Sequence, residues 1–308
     1  MVLILLERTI HWAYVSPRAR QSRRRMDPET IEIRPLAEPD EFQACVELQC
    51  ETWGEGFSDV VPPSILKVSQ RVGGVVLGAF GPDRRLVGFV FGLTGVERGH
   101  IVHWSDMLAV RPEARNIGVG RRLKEEQRKA VRELGGEVIY WTFDPLIGRN
   151  AHLNLNRLGV RISEYVVDMY GITDSTLHGG VPTDRLIVAW PTRDEEIAER
   201  LSDSERALAS LDCCQSPVVT SEWIAEVTGA TILPHCVRVE IPADGETLLL
   251  TSPDDAARWR LSVREGIRWG LASGYTVSAF LTVDGEPGEG RGYYVLSKTP
   301  RASAAGGR

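Results

Sequence analysis

The sequence predicts a mixed α/β fold: a mixed sheet with flanking helices over residues 26–192, then a smaller α+β region over 193–300. Three observations carry this. Residues 105–143 read as strand, helix and strand in close succession, the crossover that joins neighbouring strands of a parallel or mixed sheet. "VIYWTF" (138–143) is almost wholly apolar, as suits a strand buried on both faces. "GGVVLGAFGPDRRLVGFVFGLTGV" (73–96) is two strand-like runs around Gly81-Pro82-Asp83, a hairpin signal.

The elements follow in order. "IEIRPL" (31–36) alternates and reads as a strand. In "AEPDEFQACVELQCETWG", Asp40 suits an N-cap, and Phe42, Cys45, Val46, Leu48 and Trp53 form a helical stripe closed by Gly54. After the hairpin, "HIVHWSDMLAV" (100–110) is a strand. From Gly118, apolar residues at Val119, Leu123, Ala130, Val131 and Leu134 keep a helical period, which Gly135-Gly136 stop. "NAHLNLNRLG" (150–159) is a short helix, and "RISEYVVDMYG" and "DRLIVAW" are strands. Near residue 193 the character changes to a charged helical connection (193–212). Then come "HCVRVEIP", a helix from about Pro253 to Ser273, "YTVSAFLTV", a glycine-rich turn "DGEPGEGRG" and "YYVLSK". The order within 236–298 resembles that within 138–190. It suits either a degenerate repeat of that half or an ordinary β–α–β–β unit whose task is to cover a sheet edge or wall a pocket.

Composition narrows the classes of function. With 43% hydrophobic and 25% charged residues the chain has material for a real core. A net charge of -6 argues against nucleic acid as the bulk partner, because phosphate binding needs a basic face. No apolar run approaches the roughly 18 residues that span a bilayer, so no membrane partner is expected and the expected location is cytoplasmic. The five cysteines form no C-x-x-C pair, so reduced thiols are expected, with neither a disulfide framework nor a metal site. Residues 1–25 carry six arginines against one glutamate. They are expected to be a disordered leader or an artefact of the start codon, with Met26 as the natural start; 301–308 is a frayed tail.

One stretch carries chemistry: "DMLAVRPEARNIGVGRRLKEEQRKA" (106–130). A helix N-terminus offers unpaired N–H groups and a partial positive charge, and glycine there lets a ligand approach the backbone, so the place suits phosphate. Arg115, Asn116, Ile117, Gly118, Val119, Gly120 and Arg121 form this loop, and Arg115, Arg121 and Arg122 can add charge-assisted hydrogen bonds. A Walker A loop fails for want of a lysine followed by Ser or Thr. A dinucleotide fingerprint is disfavoured because Leu123 stands at its third glycine and seven residues separate strand and first glycine, although Asp144 lies at a tempting distance.

The pattern strand, V-x-P-x-x-R-x-x-G-x-G, helix resembles motif A of the GNAT (N-acetyltransferase) superfamily, matched here from Leu108 to Leu123. The element order over about 30–192 resembles that family too. "YWTFDPL", "RNAHLNLNRLG" and "PTDRLIVAW" look like larger GNAT proteins with an extra C-terminal domain. The resemblance implies acetyl-CoA or another acyl-CoA, succinyl-CoA among them, as co-substrate, its pyrophosphate held by 115–121. It also implies that backbone groups of Leu108, Ala109 and Val110 hold the pantetheine arm and the thioester carbonyl. The acceptor implied is the amine of a small molecule, an amino acid among the candidates; a homodimer is an open assembly state.

Transfer of an acyl group to an amine needs a base for the ammonium and tolerates a thiol leaving without an acid. Base candidates are Asp106, on the strand before the loop, and Asp144, after the next strand, with His103 as a further one. The family's usual acid is a tyrosine four residues before the glycine that ends the short helix. Here that position is Leu155, so water, the coenzyme or Tyr165 must serve. Asn150 and Asn154 suit hydrogen bonds to the pantetheine amides. The competing readings are a catalytically silent acyl-CoA-binding regulator and a nucleotide-binding oxidoreductase.

Overall fold

Strands and helices are interspersed through the described residues. The computed structural model describes residues 26–54, 56–171, 182–283 and 290–298. The expectations for 1–25, for 301–308 and for most of the turn at 284–292 lie outside the described residues. In chain order the elements are β1 (Glu32–Pro35), α1 (Pro39–Trp53), α2 (Pro63–Arg71), β2 (Val75–Phe80), β3 (Leu86–Glu97), β4 (His100–Val110), α3 (Val119–Glu133) and β5 (Val138–Phe143). They continue with α4 (Gly148–Ala151), which runs on as a π-helical turn (His152–Arg157), then β6 (Arg161–Val166), β7 (Arg185–Pro191), α5 (Asp194–Ala209), α6 (Leu211–Cys214) and α7 (Ser221–Val227). Last come β8 (Cys236–Pro242), α8 (Gly245–Thr251), α9 (Pro253–Ala272), β9 (Thr276–Val283) and β10 (Arg291–Ser297).

The strands make a seven-stranded mixed sheet in the order β1-β2-β3-β4-β5-β7-β6 and a smaller sheet in the order β8-β10-β9. Neighbours from β1 to β4 are antiparallel, and β4 and β5 are parallel, joined by the crossover through α3. In the small sheet β10 is antiparallel to both β8 and β9. First strand, third, second is also the order in which β5, β7 and β6 lie. The chain divides into two compact units inside β5, one ending at Trp141 and the other beginning at Thr142.

In the first unit the sheet makes the core. Every residue of β2 is buried, and so are the first seven of β3. Helix α1 begins at Pro39, earlier than the Asp40 cap expected. Pro39 presets the first helical φ, and Glu38 and Glu41 close a capping box around it. Glu41 also holds the Arg34 guanidinium, at 2.6 Å. Helix α2 was not expected, because its apolar Ile65 and Val68 are exposed and Leu66 is the one aliphatic it buries.

In the second unit Val237, Val239, Ile241, Val263, Ile267, Tyr294 and Val295 are buried. Here the sequence reading needs a correction. Cys213, on α6, and Cys236, opening β8, form a disulfide, where reduced thiols were expected. The two lie in one apolar cluster with Ala207, Ala279 and Val295. Their separation of 23 residues leaves no local spacing to read.

Candidate active site

In the first unit, β4 and β5 part company. Their ladder runs only from Val102↔Val138 to Trp104↔Tyr140, whereas β4 continues to Val110. Ser105–Val110 therefore leave the β5 ladder while still paired to β3 on the other side. That second pairing has a bulge. Met107 faces Phe91 and Ser105 faces Gly92, so Asp106 is the extra residue between them. Asp106 is half-buried, and burial raises its carboxyl pKa above the ordinary value. Leu108, Ala109 and Val110 are buried, so only their backbone groups remain for a ligand.

Pro112 opens a 3₁₀ turn after β4, and the chain then passes through two left-handed residues, Asn116 at φ 59° and Gly118 at φ 84°. Gly118 is the N-cap of α3 and supplies no side-chain cap; the first turn holds no acidic residue. The first backbone N–H to reach a helical carbonyl is that of Arg122, 3.0 Å from the Gly118 oxygen, so the N–H groups of 119–121 have no partner within the helix. A Cβ built on Gly118 would meet nothing within 4 Å, so the space before the loop is open.

The arginines divide their work. Arg115 donates from Nε to the Val110 carbonyl at 2.9 Å, which ties the loop to the end of β4. Exposed Arg121 pairs with Glu125 one turn on. Arg122, expected to add to the anion site, instead donates to the carbonyls of Pro28 and Ile31, the latter at 2.8 Å. It anchors α3 to the start of β1.

Under α3 lies a buried polar row that the sequence did not advertise. His103 is fully buried, with Thr94 Oγ1 3.0 Å from Nδ1 and Gln127 Nε2 3.1 Å from Nε2. Burial, and then the Lys124 ammonium, push its pKa down to about 3. His103 is thus a neutral, engaged imidazole. Lys124 donates to Ser105 Oγ at 2.7 Å and lies 3.8 Å from the centre of the Trp141 ring.

The other expected residues are in the second unit. Asp144 is buried, and Arg260 grips it with two bonds of 2.7 and 2.8 Å, with Arg185 at 3.5 Å. The Leu146 N–H adds a bond of 2.8 Å. Burial alone would raise this carboxyl, but the two guanidiniums outweigh it and hold the pKa below the usual range. Tyr165 donates to Asp184 at 2.7 Å, and Arg264 binds the same carboxylate through bonds of 2.8 and 2.9 Å. Burial and that hydrogen bond raise the Tyr165 pKa. Asp144 and Tyr165, expected as base and acid, are thus each engaged in buried ion contacts, Asp144 with Arg260 and Arg185 and Tyr165 with Asp184. Asn150 and Asn154 are fully buried, in α4 and the π-helical turn. Asn150 is inside the helix, which starts at Gly148.

No protein-family model matches the chain, and no curated protein matches it. Solved structures of GNAT acetyltransferases resemble it over about half its length. One is the ribosomal-protein-S18-alanine N-acetyltransferase from Escherichia coli, with 18% identity over 53% of this chain and 94% of that one, at a TM-score of 0.40. A GNAT-family acetyltransferase from Streptococcus pneumoniae shares 16% identity over 52% of this chain and 99% of that one, TM-score 0.43. Arabidopsis thaliana NAA60 in complex with a bisubstrate analogue shares 16% over 53% and 99%, TM-score 0.42. Among the described residues no helix is long and apolar enough to cross a membrane.

Proposed function

We propose that the chain is an acyl-CoA-dependent N-acyltransferase of the GNAT type, moving an acetyl or succinyl group to the amine of a small molecule. One observation carries the reading: β4 leaves its ladder with β5 and runs within a few residues into Gly118 and an uncapped, acid-free helix N-terminus. Such a strand end has backbone groups for the two amides of a pantetheine arm. The helix start has N–H groups for a pyrophosphate.

In this reading the N–H groups of 118–121 hold the pyrophosphate, and Arg115, fixed on Val110, and Arg121 add charge. Backbone donors of Leu108–Val110 orient the thioester and polarise its carbonyl. Asp106 takes the proton of the acceptor ammonium, and its raised pKa brings it closer to working pH. The amine nitrogen then forms a bond to the carbonyl carbon and the C–S bond breaks. The coenzyme leaves as thiolate, and the second proton, which the acylated nitrogen sheds, reaches that thiolate through water, with no acid needed from Tyr165, whose hydroxyl donates to Asp184.

The test is calorimetry with coenzyme A, followed by thiol release from acetyl-CoA and succinyl-CoA across an amine panel. In Gly118→Asp the new side chain meets no clash, although the left-handed φ of 84° costs about 1–2 kcal/mol of stability, and its carboxylate competes with the pyrophosphate for the helix N–H groups. Affinity should fall more than roughly tenfold, about 1.4 kcal/mol. Unchanged affinity in the folded variant sinks the reading. Asp106→Asn should lower turnover with coenzyme A binding intact; full activity would return the base to solvent. The second reading, a silent acyl-CoA-binding regulator, is favoured by Leu155 standing where the family's tyrosine is expected. Coenzyme A binding without thiol release to any amine would select it.

A further inference from the structure

The buried face of α3 holds Val119, Leu123, Lys124, Gln127 and Val131. A lysine there is expensive. Lys124 is 1% exposed and no carboxylate among the described residues pairs with it. A methionine or leucine would fill the space at lower cost, since removing an ammonium from water costs several kcal/mol unless a counter-charge restores it. Burial accordingly lowers its pKa well below the ordinary value. Such a residue invites the question of what it reaches.

It reaches both strands at one level. The last β4–β5 pair is Trp104↔Tyr140. The next residue on β4 is Ser105, and Lys124 donates to its hydroxyl at 2.7 Å. The next residue on β5 is Trp141, whose ring centre lies 3.8 Å from the same Nζ. Lys124 therefore stands at the vertex of the fork and holds the first residue of each arm. Ser105 also directly precedes Asp106, the extra residue of the bulge. Helix α3, which starts at the anion loop, is tied through this side chain to the start of the opening.

We propose that Lys124 is a positioning residue that pins the β4–β5 fork open at Ser105 and Trp141, so that the fork accepts the pantetheine arm of the coenzyme. The inference rests on the coenzyme reading above and goes beyond it in one respect: it separates the hold on the arm from the hold on the phosphates. The loop needs backbone N–H groups that start at Gly118, and Lys124 contributes nothing to them. A lysine that merely anchored α3 to the sheet would affect both parts of the ligand alike.

The experiment compares two ligands by calorimetry: coenzyme A, and adenosine 3′-phosphate 5′-diphosphate, which is coenzyme A cut off at the pantetheine arm. Lys124→Met keeps the length and the contact with the Trp141 ring but loses the bond to Ser105. Ser105→Ala removes only the hydroxyl, and it serves if the methionine variant does not fold. In both variants the truncated nucleotide should bind within about twofold of the native protein, and the advantage of coenzyme A over it should shrink about tenfold or more. Parallel weakening of both ligands makes Lys124 a plain structural anchor and overturns the proposal. An unchanged advantage overturns it as well. A native protein that binds neither ligand removes the coenzyme reading first, and the pin with it.

Discussion

The two units bury positive charge in opposite ways. In the second, Arg260 and Arg185 close on Asp144, and Arg264 closes on Asp184. In the first, Lys124 is as deeply buried and has a hydroxyl and an indole for company. A guanidinium stays charged under any ordinary condition, so a buried arginine needs its carboxylate. A lysine can give up its proton when water is removed, so it can be buried among neutral groups. The arginine network is therefore fixed in its charge and suits a structural role. The lysine is adjustable, and it stands where a ligand is expected.

This contrast is easiest to break at Asp144. Asp144→Ala leaves Arg260 and Arg185 buried without their shared counter-charge, and chemical denaturation should record a loss of about 3–5 kcal/mol. A loss under about 1 kcal/mol would mean that water reaches the arginines and that the network is less closed than its geometry.

A comparable effect, spread over several pH units, concerns His103, the neighbour of Lys124. Its pKa is about 3 in the folded chain and near 6.5 when exposed. The unfolded chain takes the proton first as pH falls. Stability contributed here is thus complete above about 6.5 and declines by about 1.4 kcal/mol for each pH unit below it, down to about 3. His103→Gln should flatten that part of the stability–pH curve. A curve of unchanged slope would move the acid sensitivity to other groups.

Tyr165→Phe removes one of several bonds to Asp184 and leaves the two from Arg264 in place. About 1 kcal/mol should be lost in the same denaturation assay. The smallest effect is expected at Lys124→Met, whose stability should stay within about 1 kcal/mol of native or rise, because an amine without a counter-charge leaves the core. A drop as large as that of Asp144→Ala would erase the contrast between the two units.

What the sequence made legible was local. Strand alternation, the Gly81-Pro82-Asp83 turn and the loop at 115–121 are signals a few residues long, and each falls where the structure has the matching feature. What it hid was joined through space. Asp144 meets Arg185 and Arg260 across 41 and 116 residues, and no short pattern announces either. Lys124 sits in "RRLKEEQRK", which reads as a solvated basic face, and only the helical phase of the folded chain turns it inward. The bulge at Asp106 changes strand phase by one residue, and nothing in "HWSDMLAV" marks it. Cys213 and Cys236 belong to the same class of long-range joins.

The π-helical turn at His152–Arg157 bears on how residues before Gly159 are counted. Its bonds reach one residue further than those of an α-helix: the Leu158 N–H meets the Leu153 carbonyl at 3.0 Å. Counting back four residues from Gly159 names Leu155, but that count assumes α-helical pitch. Counting five back, as the π-helical bond does, names Asn154, and both residues are buried. Neither position carries a hydroxyl, so the side chains at these two places offer an amide and an alkyl group and no phenol.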